Sequence, residues 1–333
     1  MKAYIKAINY ALPDGVLTNE EVAAMFPEWT VEKIEKKLGI KRRHITAENE
    51  TASDIAIKAA EQLFETCDIN KGEIDYLVFV TQSPDYHLPT TACVIQKRMG
   101  LSHNLTSIDV NLGCNGFIVG LSLAKAVIMA GQAKNVLLLT GETYSKYMHE
   151  KDKSNRTIFG DGASATVVST EGMAEIGEFV IGTDGEGADN LIVKTGGSRH
   201  MKPANDLVFD DFGNPRSSDN LYMDGPAILN YSLDFLENLV NDVLTKNGLT
   251  MEDIDLHVYH QANIFLANLE RKTLKIPQEK YWVSIENTGN TVSSTIPIAL
   301  CEALKEGKLK NGMKVLSIAQ GLGYTWGGMV LYF

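Results

Sequence analysis

The chain has 333 residues, of which 44% are hydrophobic and 22% are charged, and its formal net charge is −11 at pH 7. This composition is typical of a globular protein with one large core or two ordinary ones, and it excludes the disordered and fibrous classes. The acidic balance argues against broad nucleic-acid binding, which needs a basic surface.

Targeting and cysteine patterns point to an intracellular protein. Residues 1–10 lack the basic start and long apolar stretch of a leader, and no run approaches the roughly 20 apolar residues that cross a bilayer. We therefore expect a cytoplasmic protein without a membrane anchor. The four cysteines, Cys67, Cys93, Cys114 and Cys301, lie far apart with no Cys-x-x-Cys pair, so neither a disulfide framework nor a cysteine-based zinc site is predicted.

Helical segments alternate with nearly continuous apolar runs along the chain. Apolar runs of this kind are typical of strands that are buried on both faces. Caps such as Thr51 and terminators such as Gly248 mark where helices begin and end. The predicted helices cover 52–66, 117–130, 226–247 and 296–305, and the predicted strands lie within 72–82, 105–110, 133–141, 256–259 and 312–321.

Two pairs of segments are similar at a spacing of about half the chain. Segment 72–82 resembles 251–261, since each is an acidic turn followed by a strand, and 133–141 resembles 312–321. Alternating helices and buried strands imply a layered α/β fold. We expect two similar halves, 1–172 with a candidate nucleophile and 173–333 with two candidate polar partners.

Cys114 is the candidate nucleophile of the first half. It follows the predicted strand 105–110 and precedes the helix 117–130, in the sequence Gly-Cys-Asn-Gly. The dipole and free N–H groups of a helix N-terminus favour a thiolate, so we expect a lowered thiol pKa. The flanking glycines let a substrate approach the backbone. An arbitrary free cysteine is more often a small buried hydrophobe, but this context favours chemistry.

His260 and Asn290 are the candidate partners in the second half. His260 opens the sequence His-Gln-Ala-Asn at the carboxyl end of a predicted strand, where α/β folds expose ligand-contacting residues. Asn290 lies in the turn Asn-Thr-Gly-Asn-Thr. Singly, the histidine fits a structural role and the asparagine a turn or cap. Together with a cysteine, they provide what acyl transfer requires.

These motifs resemble the β-ketoacyl-acyl-carrier-protein synthase III family, condensing enzymes of the thiolase superfamily, and the likeness runs nearly end to end. The resemblance implies a thiolase-like five-layered αβαβα sandwich built from two pseudo-repeated halves, and a homodimer. Its further markers are Glu28-Trp29, the stretch 39–45, Phe159-Gly160-Asp161-Gly162-Ala163 and the terminal stretch 323–328.

The resemblance implies a two-stage reaction without a metal or redox cofactor. Cys114 attacks an acyl-coenzyme A and becomes acylated, while the backbone N–H groups of Cys114 and Leu322 hold the oxyanion. Malonyl-acyl-carrier protein then enters, and His260 and Asn290 donate hydrogen bonds to its thioester carbonyl as carbon dioxide leaves. To donate, His260 must carry its proton on Nε2.

The resemblance also implies binding roles for residues outside these motifs. Trp29 would stack on the adenine of coenzyme A, Lys153 would meet its phosphates, and Asn263 would contact substrate. Leu88 matches a residue that reaches across the dimer to limit the partner's acyl pocket, although a plain core role is equally open. Arg271 and Lys272 would dock the acidic carrier protein.

Three positions depart from the family pattern. Leu322 stands in a loop that is usually Gly-Gly-Gly, Phe265 replaces an arginine that engages the carrier protein, and Lys153 replaces an arginine whose fork a lysine lacks. They indicate a specialised member. A second basic group lies at Lys33, Lys36, Lys37, Lys41, Arg42 and Arg43. Both basic groups are predicted to flank the entrance, with solvated helix faces as the alternative.

Other functions fit parts of the same pattern. Within the fold, the acyl group could pass to an oxygen, nitrogen or other carbon nucleophile. A cysteine hydrolase also uses Cys, His and Asn, but the local sequences do not match one. A non-catalytic partner subunit would have no reason to keep all three polar residues together.

Overall fold

The computed structural model describes residues 2–333. Its helices are α1 Asn19–Met25, α2 Val31–Leu38, α3 Ala52–Thr66, α4 Thr91–Met99, α5 Gly116–Met129, α6 Gly225–Lys246, α7 Ile264–Thr273 and α8 Thr295–Lys305. Its strands are β1 Tyr4–Ala11, β2 Val16–Thr18, β3 Arg42–His44, β4 Tyr76–Val80, β5 Thr106–Val110, β6 Asn135–Glu142, β7 Gly162–Ser169, β8 Ala174–Thr183, β9 Leu191–Ile192, β10 Val208–Phe209, β11 Pro215–Arg216, β12 Tyr222–Met223, β13 Leu256–His257, β14 Lys314–Gly321 and β15 Thr325–Tyr332.

The large sheet has the strand order β13-β14-β15-β8-β1-β7-β6-β4-β5. Read outward from its middle, the first half runs β1-β7-β6-β4-β5 and the second runs β8-β15-β14-β13. Tyr281 forms a parallel bridge with His257, in the place that β5 takes in the first half. The two halves therefore repeat one topology. They meet where β1 pairs with β8, through Tyr4 with Glu175 and Ile5 with Ala174.

Three apolar cores separate the layers. The first outer core packs α3 and α4 on the first half of the sheet, and the second packs α6 and α7 on the other half. The central core contains α5 and α8 between the two halves. This arrangement is the five-layered sandwich that the sequence predicts, and the thiolase-like fold is confirmed.

Helix α5 holds the central layer together because it is apolar nearly all round. It packs against β4, β6 and β7 of the first half and against β8, β14 and β15 of the second. A helix that is buried on most sides needs such composition. Gly120 lets β6 come close, since a Cβ there would lie 2.6 Å from Leu138 Cδ1. Lys125 escapes the core by donating to the Gly177 carbonyl and pairing with Glu178.

The predicted elements agree with the structure apart from one strand. The ladder of β13 covers only Leu256 and His257, whereas the prediction extended it to 259. Single bonds continue the direction of the strand, from Val258 N–H to Leu316 and from His260 N–H to Ile318. The division at residue 172 lies in the turn between β7 and β8, and it stays a prediction. In residues 2–333, no helix is both long and apolar enough to cross a membrane.

Replacing Leu121 by alanine should test the central layer. Leu121 lies on α5 and is fully buried in the central core. We expect the free energy of unfolding to fall by about 3 kcal/mol, because the change leaves a cavity between the two halves. Met129→Ala, at the exposed end of the same helix, should change it by less than about 0.5 kcal/mol. Urea denaturation measures both, and equal losses would contradict this role of α5.

Candidate active site

Cys114 lies in the turn that feeds helix α5. Asn115 is the N-cap of the helix, and the N–H of Gly116 closes the turn on the Gly113 carbonyl at 2.7 Å. At position 113, a Cβ would lie 2.6 Å from Gln82 Oε1 and 2.8 Å from Leu322 Cδ2. The predicted place of Cys114 at the head of a buried helix is thus present, and Gly113 is needed for close packing within the chain.

An apolar cluster surrounds Cys114, and sequence reasoning did not find it. Cys114 itself keeps partial exposure. Leu88, which was predicted to limit an acyl pocket, lies elsewhere on the same chain and is 86% exposed. The buried members of the cluster are Tyr144, Met148, Phe159, Leu191, Leu221 and Val292, and its partly buried members include Tyr147, Ile158, Val193, Met223, Ile228 and Leu322.

The predicted lowering of the thiol pKa is wrong. Burial, together with the nearby Glu142 carboxyl group, raises the pKa of the Cys114 thiol to about 12, against an opposing effect of the backbone. Desolvation disfavours the charged thiolate, and here it outweighs the helix N-terminus. Cys114 is therefore a neutral thiol at neutral pH.

Glu142 is a buried acid at the end of β6 that the sequence analysis did not single out. Burial raises the pKa of its carboxyl group to about 8. The carboxyl accepts from Gln82 N–H at 3.0 Å, from Ser83 Oγ at 3.1 Å and from Ser293 Oγ at 3.2 Å. Ser293 belongs to the second half, so this acid ties the two halves together beside Cys114. A lone acid at the end of an apolar strand was the available signal.

His260 presents a neutral imidazole. Its Nδ1 lies 2.7 Å from Thr295 Oγ1. Within residues 2–333, this is the one hydrogen bond that the ring makes. Burial lowers the pKa of the ring to about 4, because charge is costly away from water. The Nε2 atom is left for a ligand. Thr295 lies in a run of Ser and Thr residues, which gave no sequence signal for this contact.

Asn290 is held by its own backbone and by a neighbouring turn. Its N–H donates to the Ile158 carbonyl at 2.9 Å, and its carbonyl accepts from Gly160 N–H at 3.0 Å. Gly160 permits this approach, since a Cβ there would lie 2.2 Å from the Thr288 carbonyl oxygen. The side-chain Oδ1 accepts from Val292 N–H at 2.9 Å. The amide Nδ2 therefore keeps its two protons for another acceptor.

Val292 connects the three candidate residues. Its side chain is fully buried in the cluster around Cys114, and its Cγ1 lies 3.2 Å from where a Cβ of residue 113 would be. Its N–H donates to Asn290 Oδ1, and its carbonyl accepts the backbone N–H of Thr295, whose Oγ1 contacts His260 Nδ1. A continuous chain of contacts thus brings the cysteine, histidine and asparagine of the sequence analysis into one site.

The loop after β14 passes beside Cys114. A Cβ at Gly321 would lie 3.4 Å from Cys114 Cβ and 3.2 Å from Asn115 N. Leu322 packs its side chain into the apolar cluster. Within residues 2–333, the N–H groups of Cys114 and Leu322 donate to no protein acceptor. Both are available as the predicted oxyanion donors.

The residues predicted to contact coenzyme A already make contacts with other residues of this chain. Lys33 Nζ lies 4.6 Å from the ring centroid of Trp29. Lys153 Nζ pairs with Glu28 at 2.7 Å and donates to the Phe212 carbonyl at 2.6 Å. Asn263 caps α7 by accepting from Leu266 N–H at 2.9 Å. A nucleotide at this place would have to displace Lys33 and compete with Glu28.

A basic groove of about 620 Å³ runs between α2 and α7. It brings together Lys272 and the lysines of α2, which are more than 230 positions apart in the sequence printed above. Arg271 does not line the groove, since its Nη1 donates to the Ile276 carbonyl at 3.0 Å. The lining residues are Thr30, Glu32, Lys33, Lys36, Lys37, Ile264, Phe265, Asn268, Leu269 and Lys272.

Comparison with known proteins finds matches in both halves of the chain. The family model of 3-oxoacyl-[acyl-carrier-protein (ACP)] synthase III matches residues 108–185, and the model of its C-terminal part matches residues 244–333. A beta-ketoacyl-[acyl-carrier-protein] synthase III from Caldanaerobacter subterraneus subsp. tengcongensis is 33% identical over 322 residues, 96% of this chain and 94% of the relative.

Two further comparisons extend over both chains. A protein with the same name from Campylobacter fetus subsp. fetus is 35% identical over 336 residues, covering 100% of this chain and 98% of the relative. A crystal structure of a 3-oxoacyl-(acyl-carrier-protein) synthase III has a TM-score of 0.97 and 45% identity, with 100% of each chain covered. Fold and site together define an acyltransferase of the condensing-enzyme class. The chain belongs to the β-ketoacyl-[acyl-carrier-protein] synthase III family, and the resemblance seen in the sequence is confirmed.

Burial of a neutral His260 should make stability depend on pH. The pKa of the ring is about 4 in the fold, against 6.5 for an unperturbed histidine. As pH falls through this window, the unfolded chain binds a proton here that the folded chain does not, so the free energy of unfolding falls. His260→Asn should therefore lose less stability than the wild type between about pH 7 and about pH 4.5. Urea denaturation at each pH measures the free energy of unfolding. An equal dependence on pH in the wild type and in His260→Asn would contradict the lowered pKa of His260.

Proposed function

We propose that the protein condenses an acyl-coenzyme A with malonyl-acyl-carrier protein, releasing carbon dioxide and forming a β-ketoacyl product. One observation supports this most strongly. A cysteine at the head of a buried helix shares one contact network with two neutral donors, His260 and Asn290, whose Nε2 and Nδ2 atoms face no partner within residues 2–333. A nucleophile with a pair of donors suits acyl transfer followed by enolate stabilisation.

In the first stage, Cys114 takes the acyl group. Its Sγ–H bond breaks as Sγ attacks the thioester carbonyl carbon, and a new thioester forms as coenzyme A leaves with a proton on its own sulfur. The N–H groups of Cys114 and Leu322 stabilise the oxyanion of the tetrahedral intermediate. Because burial raises the pKa of the thiol, the proton leaves Sγ during the attack and not before it. The apolar cluster around Cys114 then accommodates the acyl chain.

In the second stage, malonyl-acyl-carrier protein provides the carbon nucleophile. The bond to the malonyl carboxylate breaks, carbon dioxide leaves, and the electron pair forms an enolate on the thioester. His260 Nε2–H and Asn290 Nδ2–H donate to the enolate oxygen. The enolate carbon attacks the acyl-cysteine, its carbon–sulfur bond breaks, and the released Cys114 sulfur takes a proton from solvent. Decarboxylation replaces a strong base, so this reaction proceeds without a metal or redox cofactor.

The carrier protein would dock at the basic groove between α2 and α7. Carrier proteins are acidic, and complementary charge guides association and orientation. Four lysines of the groove face such a partner over a floor that includes Phe265 and Leu269. Phe265 is 54% exposed and stands where the family commonly has an arginine. The lysines of α2 compensate for that lost charge.

The remaining features of the proposal concern assembly and location. We propose a homodimer, in which the exposed Leu88 of one subunit reaches towards the partner's acyl pocket. We also propose a cytoplasmic location. All four cysteines in the described residues are free thiols, which is typical of proteins from reducing compartments.

The function is tested by intact-mass measurement after incubation with a panel of acyl-coenzyme A donors. The wild type and Cys93→Ala should gain one acyl group, whereas Cys114→Ala should gain none. His260→Ala should still be acylated but should release carbon dioxide from malonyl-carrier protein at least about 100-fold more slowly. Absence of any adduct would overturn the proposal. Turnover without carbon dioxide release would indicate transfer to an oxygen, nitrogen or other carbon nucleophile.

Charge reversal in the groove tests the docking surface. Lys272→Glu should raise the KM for malonyl-carrier protein about tenfold and leave acylation by acyl-coenzyme A unchanged, because only the carrier contacts this surface. Raising the salt concentration should reduce the difference in this KM between Lys272→Glu and the wild type, because salt screens the charges. Lys308→Glu makes the same charge change at an exposed site outside the groove and serves as the control. Equal KM values for the two variants would exclude docking here.

A further inference from the structure

The neutral His260 ring carries one N–H, so the position of that proton decides what the ring can do. With the proton on Nε2, the ring donates to a substrate oxygen. With the proton on Nδ1, the same Nε2 atom is an acceptor. The hydrogen bond at the other nitrogen sets the choice. In this structure, that bond is made to Thr295 Oγ1.

The Thr295 hydroxyl has two neighbours that could take its proton. His260 Nδ1 lies at 2.7 Å, and the Val292 carbonyl oxygen lies at 3.2 Å. The same Val292 carbonyl already accepts the backbone N–H of Thr295. His260 Nδ1 is therefore the nearer of the two acceptors, and no other group in the described residues donates to it. A hydroxyl that donates to Nδ1 leaves the ring proton on Nε2.

We propose that Thr295 is a positioning residue that holds His260 in the Nε2–H tautomer needed for the second stage. The inference rests on the proposed function, because it concerns the donor to the malonyl thioester. It also assigns His260 to one of the two stages of the reaction. A ring whose Nε2 carries the proton cannot accept the proton of Cys114, so Thr295 restricts His260 to decarboxylation and leaves acylation unaffected.

The backbone of Val292 explains why one turn can fix both donors. Val292 has φ +57°, a left-handed conformation that is rare for a β-branched residue. In this conformation its N–H donates to Asn290 Oδ1 at 2.9 Å. Its carbonyl accepts the backbone N–H of Thr295, the first residue of α8. Outliers of this kind persist where surrounding packing over-determines them, and they concentrate at functional sites. The amide of Asn290 and, through Thr295, the ring of His260 are thus both oriented by the backbone of Val292.

The tautomer can be measured on the unmodified enzyme. Histidine labelled with ¹⁵N gives different shifts for protonated and bare ring nitrogens, and His260→Asn identifies the signal of His260. We expect a protonated Nε2 and a bare Nδ1 at neutral pH. A protonated Nδ1 with a bare Nε2 would overturn the proposal without any change at Thr295.

A pair of variants separates positioning from a merely structural role. Thr295→Val keeps the shape and removes the hydroxyl, whereas Thr295→Ser keeps the hydroxyl. In Thr295→Val, acylation of Cys114 should stay within about twofold, while carbon dioxide release should fall on the order of 100-fold, because one hydrogen-bond donor to the developing oxyanion is lost. Thr295→Ser should recover release to within about threefold of the wild type.

The outcomes distinguish this inference from the proposed function. If the wild type forms no acyl adduct, the proposed function fails. If the wild type is acylated and releases carbon dioxide, but Thr295→Val releases it equally fast, only the role of Thr295 fails. Equal loss of both stages in Thr295→Val and in Thr295→Ser would show a structural role and would also overturn the inference. Should Thr295→Val not fold, the ring-nitrogen measurement on the wild type decides the question.

Discussion

The packing of α5 between the two halves of the sheet is the contact on which the site depends. This helix begins two residues after Cys114, so its burial fixes where the sulfur lies. Its faces touch strands from both halves, and this brings the 290–295 turn and the loop at Leu322 towards the same cysteine. A large apolar contact of this kind supplies the rigidity that a positioned site needs.

Burial then decides the charge of each group in the site. Away from water, the neutral forms of Cys114, His260 and Glu142 are favoured, because each loses hydration when it is charged. Neutral groups suit a reaction that proceeds through hydrogen-bond donation to a developing negative charge. The hydrogen bonds to Glu142 and Asn290 satisfy polar groups that would otherwise destabilise the core.

The charged side chains at the surface stay hydrated, unlike the buried groups of the site. Lys33, Lys36, Lys37 and Lys272 keep their charges in water along the groove, where they can meet an acidic partner. By contrast, Lys153 and Trp29 are already occupied by Glu28 and Lys33. Such exposed contacts are worth little individually, so a bound nucleotide could displace them at small cost. Lys33 lines the groove and also lies over the ring of Trp29, so the groove and the proposed coenzyme contact adjoin each other.

The sequence by itself determined the layered fold, most helices and the three residues at the centre of the site. These were readable because hydrophobic periodicity is local and because the motifs around Cys114, His260 and Asn290 are contiguous. Tertiary structure alone decided the protonation of the thiol, the contact of Thr295 with His260, and the apolar cluster around Cys114. It also separated Lys272, which lines the groove, from Arg271, which binds the Ile276 carbonyl. Each of these depends on desolvation or on contacts between residues far apart in the chain, and neither quantity is written in local sequence.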